Sequence, residues 1–413
     1  MNVEVLETGH GAARPWGASR PLPRPATPSG LQSFWMGGFE SACQINTVGK
    51  RIDMLSATQH DRFCVQDYAM LADLGITTVR DGLRWPMMDQ RGKYDFGSFV
   101  PMVRAARQTK TQVIWNICHY GWPDDVDISS PAFVDRFAKF CSAVAKCVTD
   151  HSDAVPWFCP INEISFLSWA IGHKGIIFPY RFGQAHEVKK QLVRAAIAGC
   201  EAIWDVDSRA RFVHIDPIIH VVCPRDQPEV AAAAQAQHEA QFSAWDMLSG
   251  RAEPQLGGAQ KYLDVLGVNY YHSNQFEHPD VRLRWEDEPR DERFLPFYEL
   301  LNRAQKRYNR PVIIAETSHF GAGRARWIRE MGDQIALALA ANIPLLGTCI
   351  YPIIDRPDWE DTNLWHNSGL YDIIPDADGN LTRVLHQEYA NAFRDAQRRV
   401  AAVHGMRDAF RVA

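Results

Sequence analysis

Two glutamates far apart in the chain each end an apolar run. Glu163 closes Trp157-Phe158-Cys159-Pro160-Ile161-Asn162-Glu163, and Glu316 closes Pro311-Val312-Ile313-Ile314-Ala315-Glu316. Each run reads as a buried strand with its carboxylate where the strand stops. Two carboxylates meeting across a site are the usual equipment for cleaving a glycosidic bond. One protonates the leaving oxygen, and the other attacks the sugar or activates water. Taken singly, each glutamate has a plainer reading, as a helix cap or the partner of an arginine. The repeated strand-end context, with Asn162 directly before Glu163, favours the paired reading.

Bringing such distant residues together requires a particular kind of scaffold. Apolar strand-like runs begin near Phe34, Ile76, Gln112, Trp157, Arg211, Val265, Pro311 and Leu346. Helical patterns lie between them. Asp61 to Leu74 carries Phe63, Met70, Leu71 and Leu74 and stops at Gly75, a residue suited to a left-handed helix end. Ser130-Pro131 opens another helix with a cap residue and then proline, and its apolar face runs through Phe133, Phe137, Phe140, Val144 and Val148. Residues 186–205, 229–248 and 324–341 also read as helices. Strand and helix alternating eight times predicts a parallel sheet with helical crossovers, closed as a single (β/α)8 TIM barrel. Its active site lies at the C-terminal ends of the strands. Residues 1–30, with five prolines and little periodicity, read as a flexible Pro-rich tail, and 31–413 as the catalytic barrel.

Other strand ends carry residues suited to sugar recognition. These are Gln44, Arg80, His119-Tyr120, Asn269-Tyr270-Tyr271, and Tyr351 leading into Asp355, Asp358 and Trp359. Sugars stack on aromatic rings and need fixed polar partners. Each residue also has a plainer reading. His119 alone reads as a hydrogen-bonded core histidine, Arg80 as half of a buried ion pair, and Tyr270 and Trp359 as packing. His214-Ile-Asp216 and His186-Glu187 invite a metal reading, but His186-Glu187 lacks the second histidine of HExxH and two carboxylates suffice for the chemistry, so no metal and no cofactor is expected.

The 413 residues are 46% hydrophobic with a formal charge of −5 and no basic block, which argues against nucleic acid. No apolar stretch approaches the roughly 20 residues of a membrane span. Nine scattered cysteines, most within apolar runs, suit a reducing cytoplasm. A small carbohydrate is the expected partner, and assembly into a homo-oligomer stays open.

These segments resemble glycoside hydrolase family 1, the retaining β-glucosidase and β-galactosidase group, from Phe34 to about Tyr389. Phe34 to Gln44 is similar to the family's opening strand with its sugar-binding glutamine. Val79-Arg80 through Trp85-Pro86 is similar to its arginine-to-Trp-Pro segment, and Cys118-His119-Tyr120 to its His-Trp pair. Pro160-Ile161-Asn162-Glu163 resembles its acid/base motif, with Ile164 in place of proline. Gly267-Val268-Asn269-Tyr270-Tyr271 matches its sixth strand. Ile313-Ile314-Ala315-Glu316 resembles its nucleophile motif, followed here by Thr-Ser rather than Asn-Gly. Tyr351 to Trp359 echoes its last strand and sugar-binding loop, with Tyr351 for tryptophan, Asp358 for the gripping glutamate, and Arg356-Pro357 for Asn-Phe.

The resemblance implies a retaining β-glycosidase. Glu163 would be acid and then base, and Glu316 the nucleophile. Asn162 would contact the sugar 2-hydroxyl, Arg80 would keep Glu316 charged and Tyr271 would orient it. Gln44, His119, Asn269, Tyr351, Asp358 and Trp359 would bind substrate. The altered last loop leaves specificity open. Arg84 and Arg356 could face the rim and take an anionic sugar, or pair with Asp81, Asp355 or Asp358. Two alternatives also stay open: transglycosylation through the same intermediate, and a non-catalytic carbohydrate-binding barrel.

Overall fold

A computed structural model describes residues 30–411. The proline-rich segment read as a tail lies, but for Gly30, outside them. Eight parallel strands close a barrel: β1 (Trp35–Gly38), β2 (Thr78–Gly82), β3 (Gln112–Cys118), β4 (Trp157–Ile161), β5 (Arg211–Pro217), β6 (Val265–Asn269), β7 (Val312–Thr317) and β8 (Leu345–Ile350). Each pairs with its sequence neighbours, and β1 pairs with β8 to close the ring. Every strand begins within two residues of the position that the apolar runs predict.

Alternation of side chains sorts the core into two layers. On β7, Ile313 and Ala315 join an inner set with Met36, Ile114, Cys159, Val213 and Cys349, which fills the barrel. Val312 and Ile314 join the outer set, packed between barrel and helices. The connecting helices are α1 (His60–Leu71), α2 (Val100–Thr109), α3 (Pro131–Thr149), α4 (Ala185–Val206), α5 (Ala231–Ala240), α6 (Ser243–Leu248), α7 (Phe297–Tyr308), α8 (Gly323–Ala340) and α9 (Gln387–Arg411).

The end signals act as expected. A 3-10 turn after α1 stops at Gly75, at φ 71°. Ser130 caps α3 by accepting from the Ala132 amide at 3.2 Å. α3 and α4 cross closely at Gly199, where a Cβ would meet Cys141 Sγ at 3.0 Å and the Phe137 ring at 3.1 Å. The single helix expected over 229–248 is instead broken in two. The break falls at Gln241, whose buried amide accepts from the Ile219 amide at 2.8 Å and donates to the His238 carbonyl at 2.6 Å. That side chain ties the loop after β5 to the helix layer. No helix among the described residues is long and apolar enough to cross a membrane.

Candidate active site

At the end of β4 the chain turns sharply. Glu163 adopts the left-handed region (φ 49°, ψ 60°), where a non-glycine residue is uncommon and costs on the order of 1 kcal/mol. Tertiary hydrogen bonds hold the turn: the Asn162 amide donates to the Cys118 carbonyl and the Glu163 amide to the Ile215 carbonyl, each at 2.9 Å. Asp216, on β5, takes the Ser165 amide at 2.7 Å and its hydroxyl at 3.1 Å, in the short helical segment after Glu163. Asp216 therefore secures the turn that presents Glu163.

The Glu163 carboxyl accepts from the Tyr120 hydroxyl and, at 2.8 Å, from Asn269 Nδ2. Burial, and then the nearby Glu316 charge, push its pKa up to about 8 despite those two donors. Glu316, at the end of β7, has different company. Tyr271 donates to Oε2 at 2.7 Å, Arg80 Nη1 to Oε1 at 3.1 Å, and Asn162 Nδ2 lies 3.4 Å from Oε1. Arg80 is wholly buried and also donates to Asn162 Oδ1 at 3.0 Å. One carboxyl group thus meets neutral donors, and the other meets a full positive charge.

Both open onto a cavity of about 970 Å³ whose walls include Glu40, His119, Tyr120, Tyr351, Arg356 and Trp359. His119 is pushed down to about 3 by burial, with Arg80 and Arg356 reinforcing burial against Glu316, so its ring is neutral. It stacks on Tyr351, with ring centroids 5.8 Å apart. Trp359 Nε1 is buried and has no hydrogen-bond partner, as is Asn269 Oδ1. Such orphaned polar atoms at a cavity are capacity for a polar ligand.

Most of the residues singled out in the sequence converge here: Glu163, Glu316, Arg80, His119, Asn162, Asn269, Tyr271, Tyr351 and Trp359. Five of the expected site residues do not line the cavity itself: Arg80, Asn162 and Asn269 are buried against the glutamates they bond, and Gln44 and Asp358 bond neither glutamate. Gln44 is buried in the wall behind it, with its carbonyl taking the Ile52 amide and its Oε1 unpartnered. Asp358 turns into its own loop, accepting from the Glu360 and Asp361 amides and bonding His366 at 2.8 Å. The short aspartate side chain closes a local turn, and His366 is the residue that reaches the cavity.

Sequence reasoning missed Glu40 and His366, and it named Tyr120 without giving it the bond to Glu163 that it makes. Glu40 is 4% exposed, accepts from the Ala42 amide at 3.0 Å, and lies 3.4 Å from Arg356 Nε. Its signal was an acid set inside an otherwise apolar strand end. Arg356 thus pairs with an acid on β1's exit and not with Asp81, Asp355 or Asp358. Arg84 pairs with Asp53 and Asp61, each at 2.9 Å, and is absent from the cavity wall. The cavity wall also carries His272 and His319, which meet Glu286.

No family model and no curated protein matches this chain. Solved structures do. A beta-glucosidase from Thermotoga maritima in complex with glucoimidazole superposes with a TM-score of 0.69 at 14% identity, covering 89% of this chain and 99% of that one. The same organism's family 1 b-glucosidase gives 0.69 at 15%, covering 90% and 98%. The complex of its beta-glucosidase with deoxynojirimycin gives 0.69 at 15%, covering 90% and 99%. At this identity the likeness is one of fold.

Proposed function

We propose that this chain is a retaining β-glycosidase that works without metal or organic cofactor on a small carbohydrate. The observation that carries the reading is the electrostatic contrast between the two strand-end glutamates. Glu163 has its pKa raised to about 8, so it holds a proton at neutral pH. Glu316 is gripped by Arg80 and Tyr271. Environments that differ in this way assign acid and nucleophile.

In the first step a Glu316 oxygen bonds to the anomeric carbon as the glycosidic C–O bond breaks. Glu163 gives its proton to the leaving oxygen. In the second step water attacks the same carbon, Glu163 takes a proton from it, and the glycosyl ester to Glu316 breaks. Asn162, bonded to Arg80, reaches toward the sugar 2-hydroxyl. Tyr120 and Asn269 keep Glu163 aimed through both steps.

Binding of the sugar falls to His119, Tyr351, Trp359, Glu40 and Arg356. Trp359 Nε1 is a free donor, and the rings give apolar faces. Similarity to solved beta-glucosidases in complex with glucoimidazole and with deoxynojirimycin supports a carbohydrate ligand.

The test is trapping. A 2-deoxy-2-fluoro glycoside with a good leaving group should inactivate the protein with one equivalent bound, and peptide mapping should find the label on Glu316. A protein that binds such glycosides without forming an adduct is a carbohydrate-binding barrel, and the proposal fails.

A further inference from the structure

We propose that His272, Glu286 and His319 form a binding site for one transition-metal dication of the zinc type, set in the cavity wall. His272 follows β6, His319 follows β7, and Glu286 lies in the loop between those strands. One donor atom from each lies within 4.8 Å of the others. The two imidazole rings lie against each other at a tilt of 44°, with centroids 4.3 Å apart.

The state of the ring nitrogens is the second observation. The His319 side chain is only 5% exposed, and its Nε2 is buried with no hydrogen-bond partner. Its Nδ1 lies 2.9 Å from both the carbonyl oxygen and the amide nitrogen of Phe320, which fixes the ring. A histidine with one nitrogen held by backbone and the other bare is the arrangement that ligating histidines adopt. His272 Nδ1 is likewise buried and unpartnered. Two such buried nitrogens leave desolvation unrepaid unless something pairs with them.

Donor chemistry agrees with this. Two imidazoles and one carboxylate suit zinc, which binds nitrogen at about 2.0–2.1 Å. Tetrahedral donors then sit about 3.3 Å apart, so closing the site needs roughly 1–1.5 Å of side-chain movement. Glu286 Oε1, already 3.8 Å from His319 Nε2, makes the smaller part of that move. Arg282 Nη2, 3.1 Å from the same oxygen, competes for it. Three protein ligands leave a fourth position for water or an oxygen donor in the cavity. The two-glutamate chemistry has no step at this cluster, so the metal site stands or falls independently of it.

The experiment uses the full chain, stripped with a chelator and dialysed. Zn2+ is then titrated in competition with a chromophoric chelator. One equivalent should bind at micromolar or tighter Kd, and millimolar Mg2+ should not displace it, because magnesium prefers oxygen donors. H319Q and H272Q should each weaken zinc binding at least tenfold, as should E286Q, a change at a half-buried loop residue that leaves the barrel core untouched. Circular dichroism confirms that each variant is folded. Absence of stoichiometric binding in the wild-type protein would overturn the proposal. So would zinc affinity that is unchanged in E286Q and in a folded histidine variant.

Discussion

Arg80 and Asp81 are neighbours on β2, both wholly buried, and they build two unlike charge clusters on opposite faces of one strand. Asp81 faces the helices. It bonds His60 Nε2 at 2.8 Å and the Tyr68 hydroxyl, while its other oxygen takes the Gly82 amide at 2.7 Å. His60 Nδ1 bonds Asp67 at 2.7 Å, and Arg383 clamps Asp67 with two further bonds. Phe39 stacks on the His60 ring at 3.8 Å. In that cluster each carboxylate oxygen and ring nitrogen is engaged. Arg80 faces the barrel interior, where Arg80 Nε and Asn269 Oδ1 lack partners and the carboxylates open to a cavity. A closed polar network contributes to holding the fold, whereas an open one keeps bonding capacity for a ligand. The same strand thus serves stability outward and, in the function proposed above, chemistry inward.

The largest effect should come from the inner face. Glu316→Ala is expected to lower turnover at least about 10³-fold, as loss of a group acting directly on the reacting bond does. Its melting temperature should fall, because the buried Arg80 guanidinium loses its carboxylate partner and keeps only neutral acceptors. Added azide should restore product of inverted configuration by filling the vacated space. Near-normal activity in this variant would remove Glu316 from the mechanism. Glu163→Ala should be hardest on substrates with poor leaving groups, which need protonation most.

On the outer face only stability should respond. Asp81→Asn leaves His60 and Tyr68 facing a neutral amide and should cost about 3–5 kcal/mol, the usual penalty for breaking a buried ion pair. Urea unfolding measures it, and kcat of the folded fraction should stay close to wild type. A variant of normal stability and poor activity would erase the contrast between the faces.

Alkaline pH separates the clusters by different observables. Burial would lower the His60 pKa, but Asp81 and Asp67 together raise it to about 9. A folded-state pKa above the unfolded value of about 6.5 means stability that is full below pH 6.5 and lost as pH climbs through about 9. Loss of stability over that window should vanish in His60→Gln. The inner face should respond sooner: kcat/KM should fall through about pH 8 as Glu163 gives up its proton. Activity that stays flat to pH 9 would contradict Glu163 as the acid.

The barrel was legible because its signals are local. Apolar runs of strand length, Ser130-Pro131 and Gly75 each act within a few residues of themselves, and all did so here. The strand-end positions of the two glutamates were legible for the same reason. Gln44 and Asp358 do not line the cavity, because the choice between facing a cavity and facing the wall is made by loop closure. Asp358 had a local clue, since an aspartate two residues before a free amide tends to cap its own turn. Glu40 and the His272–Glu286–His319 group carry no local signal of their partners, which arrive from other βα loops only when the barrel closes.

The smallest expected effect concerns charge selectivity at the inner face. Arg356 lines the cavity and could in principle attract an anionic sugar. Its Nε, however, lies 3.4 Å from Glu40, whose carboxylate also borders the cavity. An anion docking on Arg356 meets that negative charge as well, so the pair presents little net field. Wild-type protein should therefore handle neutral β-glycosides at least as well as anionic ones. Arg356→Ala should lower kcat/KM on both by similar, modest factors. Glu40→Gln is the sharper probe, because it leaves the guanidinium uncompensated. A charge-assisted hydrogen bond contributes roughly 1.5–3 kcal/mol, so this variant should shift the anionic-to-neutral ratio of kcat/KM upward by about tenfold. A wild-type preference for the anionic substrate that disappears in Arg356→Ala would mean that Arg356 acts on the ligand alone. The inner cluster would then be more open than its ion pair implies.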